Sequence, residues 1–205
     1  MVMAALVTMF PSGAGAVAEP LIQAAPHKVE VKPTKNEEPA PVAPPPAAVT
    51  TTPAETTTAI DSLRNRQLTL PVQGIKREEL RDTFNETRGS SRRHEALDVL
   101  APRNTPVLAV EDGKIARLFL SDAGGITIYQ FDPTETYCYY YAHLERYADG
   151  LKEGAPIKRG QVIGYVGTTG NAPRNTPHLH FAIFQLTDEK RWWQGTPIDP
   201  YSVLK

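Results

Sequence analysis

From about residue 93 onward, apolar and polar residues alternate in short runs, each closed by glycine, proline or aspartate. A period of two marks strands, because successive side chains leave opposite faces. Val107 to Val110 is one such run, and Asp112-Gly113 predicts a hairpin turn from it into Lys114 to Leu120. Ser121 to Gly125 turns the chain into Ile126 to Phe131, and Asp132-Pro133 turns it again into Tyr137 to His143. Gly160 to Val166 and Leu179 to Leu186 are further strands, and Pro197 to Leu204 closes the domain. Ahead of them, Ile60 to Gln67 predicts a short helix and Leu68 to Gly74 an edge strand ending in a turn. Short strands with frequent turns predict an all-β domain, an antiparallel sandwich or barrel, over residues 59–205.

The pattern is absent before that domain. Residues 1–18 are apolar and small, and Ala16-Val17-Ala18 has the A-x-A form of a signal-peptide cleavage site, although no Lys or Arg precedes it. This predicts export to the periplasm or cell envelope. Residues 19–58 are mostly Pro, Ala, Thr and Val with scattered charges. Such a segment cannot bury enough apolar area to offset its ordering entropy, so it predicts a disordered linker. In polyproline II its roughly 40 residues would reach on the order of 100 Å.

Composition narrows the function. The 205 residues suit one domain with tails, and the net charge of −1 gives no support to a nucleic-acid role. No run of about 18 apolar residues exists to form a membrane-spanning helix. The single Cys138 excludes an intrachain disulfide and a cysteine-rich zinc cluster, and its aromatic neighbours predict buried packing.

The candidate chemistry lies in the histidines. In Pro177-His178-Leu179-His180-Phe181 a strand puts both imidazoles on one face and Leu179 and Phe181 on the other. Neutral imidazole is the commonest protein ligand for a first-row metal. In His94-Glu95-Ala96-Leu97-Asp98 the two end residues share a strand face, with Ala96 between them and Leu97 and Val99 facing the core. A metalloprotease helix of the H-E-x-x-H type fails here, because Asp98 stands where its second histidine belongs and Pro102 would cut the helix short. In Tyr137 to Leu144, alternation groups His143 with Tyr141, Tyr139 and Tyr137, and sets Cys138, Tyr140 and Ala142 on the other face. The donor inventory is then His94, Asp98, His143, His178 and His180. A catalytic zinc site takes three protein ligands and a water, which leaves two groups to manage protons and charge.

These segments together resemble the lysostaphin/LytM-type zinc metallopeptidases, which cut peptides of bacterial peptidoglycan. The resemblance runs from about Leu70 to Leu204. It rests on His94 to Asp98, Tyr141-Ala142-His143-Leu144 and His178-Leu179-His180, in that order, with the glycine-bearing stretches Ile157 to Gly164 and Val166 to Gly170. It implies that His94, Asp98 and His180 bind Zn2+, that His143 and His178 are catalytic, and that a groove runs over the metal on an antiparallel sheet. It also implies peptidoglycan stem peptides as substrate, with cell-wall hydrolases or division proteins as partners. Tyr139, Tyr141, Arg93 and Arg174, with Arg92, lie near the motifs and are candidate substrate contacts, arginine being suited to the carboxylates of stem peptides. Two positions depart from the family pattern: Glu95-Ala96-Leu97 lacks its frequent glycine, and Ala182 replaces a frequent acid.

Two other functions compete with the enzyme. One is a non-catalytic module of the same fold that binds or activates a wall hydrolase; filled site positions favour the enzyme. The other is a histidine phosphocarrier on a similar β fold; Asp98 and the His-x-His spacing fit zinc better.

Overall fold

The computed structural model describes residues 53–88 and 92–205, with side chains from residue 57 onward. The expected signal peptide and most of the expected linker lie outside the described residues. Helix α1, Pro53–Asn65, begins ahead of the expected Ala59. Proline suits a helix start, where its missing N–H would be unpaired anyway. Ala59 and Leu63, one turn apart, are buried and pin the helix to the domain. Leu68 and Val72 continue into the core, and Val72 bridges to Val107.

The expected all-β architecture is the one the chain adopts. A two-stranded ribbon pairs β1, Thr87–Arg88, with β2, Arg92–Arg93. The main sheet comprises β3 Leu97–Leu100, β4 Pro106–Leu108, β5 Gly113–Ser121, β6 Gly125–Phe131, β7 Tyr137–Tyr147, β8 Pro156–Ile157, β9 Val162–Val166, β10 His178–Leu186 and β11 Gly195–Ile198. Its order is β11-β10-β7-β6-β5-β8, with β3 also on β10, and β9 joining β7 to β4. All of these pairs are antiparallel. Helix α2, Pro200–Leu204, follows β11, capped by the Asp199 carboxylate on the Tyr201 N–H.

The expected hairpin at Asp112-Gly113 does not form. β4 pairs with β9, and β5 pairs with β6 and β8. Gly113 is needed for close approach instead: a Cβ there would lie 2.0 Å from the Phe131 carbonyl oxygen of β6. The two expected turns after it do form, giving the β5-β6-β7 meander.

Alternation on β7 and β10 divides the interior in two. Tyr139, Tyr141, Leu179, Phe181 and Ile183 enter the main core, with Leu97, Val99 and Ile128. Cys138, Ala182 and Phe184 face the other way and join Ala96, Tyr129 and Phe131 in a smaller cluster. The His178 and His180 side chains lie on this second face, because Leu179 and Phe181 take the first.

Candidate metal centre and active site

β10 and β3 set the first two groups. His180 and Asp98 are cross-strand partners, so their side chains leave the sheet side by side. His180 Nδ1 lies 3.1 Å from Asp98 Oδ1. His94 precedes β3 and is brought back over it by Glu95, which takes a left-handed φ of 54°. The expected extended run from His94 is therefore broken at Glu95, yet His94 Nε2 still reaches Asp98 Oδ1 at 3.0 Å and His180 Nδ1 at 3.0 Å. Three donor atoms thus meet in a triangle.

That triangle fits a zinc ion. Ligands at about 2.0–2.2 Å in tetrahedral array stand roughly 3.3 Å apart. The protons also argue for a cation. His94 Nδ1 donates to the Thr83 carbonyl at 2.9 Å, so Nε2 presents its lone pair. That lone pair, the Asp98 carboxylate and His180 Nδ1 then face one another with at most one proton among them. Burial opposes ionisation of Asp98, but its close polar contacts with the His180 and His94 rings outweigh it and hold its carboxyl well below the usual range. Burial likewise lowers the pKa of His180 despite the nearby Asp98, which favours the neutral ring that a metal needs.

His143 and His178 stand beside this triangle. Their ring centroids are 5.0 Å apart, and His143 lies 5.6 Å from His180. His143 Nδ1 donates to the Thr169 carbonyl at 2.9 Å, and His178 Nδ1 to the Thr176 carbonyl at 2.8 Å. In both rings this leaves Nε2 free to accept a proton. Burial, then the neighbouring His180, pushes the His143 pKa down to about 4, so its imidazole is neutral at pH 7.

His143 reaches the site through a β-bulge, and this corrects its expected grouping with Tyr141 and Tyr139. Ile126 pairs with Leu144 and Ile128 with Tyr141, so β7 carries one residue more than β6 between these points. His143 absorbs the excess at φ 61° and donates its N–H to the Gly124 carbonyl at 2.8 Å. The parity flips there: Tyr141 and Leu144 both stay in the core, while His143 joins Tyr140 and Ala142 on the site face. The loops beside it touch backbone to backbone, and a Cβ on Gly170 would meet the Ala123 oxygen at 2.4 Å.

Two expected substrate contacts are overturned by the same parity. Tyr139 and Tyr141 are fully buried in the main core. Tyr139 donates to Glu111, and Tyr141 donates to Gln130 Oε1 at 2.7 Å. A cavity of about 550 Å³ covers the histidines and is walled instead by Tyr129, Tyr140, Phe184 and Trp193. Arg93 and Arg174 are exposed but do not line it; Arg88 and Arg92 do. Arg92 and Arg93 are neighbours on a strand, so only one can face the cavity. Trp193 and Arg88 lie outside the motifs and carried no signal of their own, whereas Tyr140 shares the alternation of Ala142.

Residues 92–200 match the family model "Peptidase family M23", which covers more than half of the chain. The chain belongs to peptidase family M23. An L-Ala–D-Glu endopeptidase of Bacillus subtilis is 34% identical over 132 residues, covering 61% of this chain and 39% of the relative. The peptidoglycan DD-endopeptidase ShyC of Vibrio cholerae is 34% identical over 93 residues, covering 45% of this chain and 20% of the relative. The LytM structure from Ruminococcus gnavus superposes with a TM-score of 0.53 at 27% identity, covering 67% of this chain and 57% of that one. The M23 chain thus spans less than half the length of these two curated relatives. Within the M23 match lie all five residues of the histidine–aspartate site.

Proposed function

We propose that this chain is a zinc-dependent endopeptidase that hydrolyses peptide cross-links of bacterial peptidoglycan in the periplasm or cell envelope. The observation that carries this is the convergence of His94, Asp98 and His180 in a proton-poor triangle, with two further imidazoles oriented by backbone carbonyls beside it. When bound by those three residues, zinc would polarise the scissile carbonyl and bring the pKa of a water toward about 7. His143, neutral at pH 7, takes the proton of the attacking water at Nε2. His143 then carries that proton to the leaving amine, while His178 Nε2, 3.9 Å from Asp98 Oδ1, accepts a hydrogen bond from the water and aims it. The Nδ1 bonds to the Thr169 and Thr176 carbonyls keep both rings aimed at the cavity.

The bond cut follows from the cavity wall. Arg92 supplies a guanidinium group, and Tyr140, Phe184 and Trp193 an aromatic face, while Arg88 beside it is held by Asp98 and Glu86. That pairing suits a stem peptide, which carries free carboxylates, better than a pentaglycine bridge, which carries none. The names of the Bacillus and Vibrio relatives support the same substrate class. The alternative, a non-catalytic module that activates another hydrolase, leaves the oriented His143 and His178 without a task. Purified protein is incubated with peptidoglycan and with pentaglycine, and the fragments are identified by mass. Release of cleaved stem-peptide cross-links is expected; no turnover of either substrate by the zinc-loaded protein would refute the enzyme, and cleavage of pentaglycine alone would refute the substrate.

A further inference from the structure

The segment from Thr83 to Arg88 precedes the family match, which begins at residue 92, yet it touches every part of one side of the metal triangle. The Thr83 carbonyl accepts from His94 Nδ1 at 2.9 Å. The Thr83 hydroxyl accepts from the Asp98 N–H at 3.0 Å and donates to the Ala96 carbonyl at 3.2 Å. Arg88 Nη2 donates to Asp98 Oδ2 at 2.6 Å, while Glu86 holds the same nitrogen at 3.0 Å. The Glu86 carbonyl accepts from the His94 N–H, and the Phe84 carbonyl from the Glu95 N–H, each at 2.9 Å.

We infer that this segment is the positioning strap of the metal centre, and that Thr83 and Arg88 set its zinc affinity and coordination. Thr83 acts on both His94 and Asp98. Its carbonyl selects the histidine tautomer whose Nε2 lone pair faces the metal, and its hydroxyl fixes the backbone from which the carboxylate springs. Arg88 occupies Asp98 Oδ2, so only Oδ1 faces His94 and His180. The carboxylate would then offer a metal one oxygen, leaving a coordination position for substrate chemistry. Glu86 offsets the arginine charge, so the strap adds orientation without adding a net positive charge beside the cation. Partners of this kind are worth about 10–100-fold in metal affinity. Neither residue touches the reacting atoms; both act through ligands.

The inference rests on the metal assignment above, and zinc uptake by the unaltered chain tests that assignment separately. Thr83→Val, Thr83→Ser, Arg88→Gln and Arg88→Lys are made in the full chain, with far-UV circular dichroism and melting of the metal-free proteins as the fold check. Zinc affinity is read by chelator competition and geometry by the visible spectrum of the cobalt(II) form. Thr83→Val and Arg88→Gln are expected to bind zinc about 10–100-fold more weakly, and Arg88→Gln to change the cobalt bands as Asp98 Oδ2 is released. Thr83→Ser keeps the hydroxyl and is expected to stay near the unaltered chain. Should Thr83→Val fail to fold, Arg88→Gln at its half-exposed position decides alone. Zinc bound within twofold by both variants, with the cobalt bands unmoved, overturns the strap and leaves the metal assignment standing. No zinc uptake by the unaltered chain overturns both.

Discussion

Two polar clusters lie on opposite faces of β7, and their hydrogen-bond accounts differ. On the core face, Arg66 donates to Glu111 at 3.1 Å and to Asp132 at 2.9 Å, and Tyr139 donates to the same Glu111. Tyr141 donates to Gln130, whose amide donates to the Glu111 carbonyl at 2.9 Å. These groups bond to one another, and the network closes on itself as buried polar groups must. On the site face, Asp98 and two imidazole nitrogens meet at 3.0–3.1 Å with too few protons to satisfy them. A closed network stabilises; one short of protons has room for a cation. The difference separates a structural cluster from the proposed functional one in the same sheet, though both are largely enclosed and have aromatic neighbours.

The largest break is at the ligands. His180→Ala should leave the protein without stoichiometric zinc and without turnover, measured by elemental analysis and peptidoglycan digestion. His143→Ala should retain zinc and lose about 10²–10⁴-fold in rate, the scale of a general acid or base; zinc released as readily as from His180→Ala would contradict the division between ligands and proton carriers.

On the core face the expected loss is of stability. Arg66→Ala leaves Glu111 and Asp132 buried without their cation. Denaturant titration should show a loss of about 3 kcal/mol, the lower end for a broken buried ion pair because Arg66 is itself partly exposed. Zinc content and the activity of the folded fraction should not change, since this network is closed away from the site.

Acid should distinguish the clusters in the metal-free protein. The His143 pKa lies at about 4 when folded and near 6.5 when unfolded. The unfolded chain therefore binds the extra proton first. The stability that neutral His143 contributes is complete above about pH 6.5 and is lost as pH falls toward 4, by up to about 3 kcal/mol. Melting between pH 7 and 4 should show this loss, and His143→Gln should remove it.

The smallest effect is expected at the cavity mouth. Arg92 lines the cavity, where its charge also acts on Glu95. Arg92→Ala should raise KM for a stem peptide by about tenfold, the value of one charge-assisted hydrogen bond, with kcat nearly unchanged. The same change in KM for an amidated peptide would show that no carboxylate is read there.

The residues themselves determined the strands and much of the site. Alternation alone put Leu179 and Phe181 in the core and His178 and His180 together on the other face, and the structure keeps them there. Three short motifs, separated in the chain, carried the resemblance to the family. Local pattern works in these places because a strand's two faces are a covalent property of the extended backbone. Tertiary structure decided the rest. The bulge at His143 exists because β6 and β7 must pair over unequal lengths, and no local period records that mismatch. It moved His143 to the site face and left Tyr139 and Tyr141 in the core, reversing the expected grouping. The Asp112-Gly113 turn failed as a hairpin because β4 found its partner in β9, more than fifty residues away. Arg88 and Thr83 became supports of the metal triangle only through contacts across the fold, which a linear pattern of apolar and polar residues does not encode.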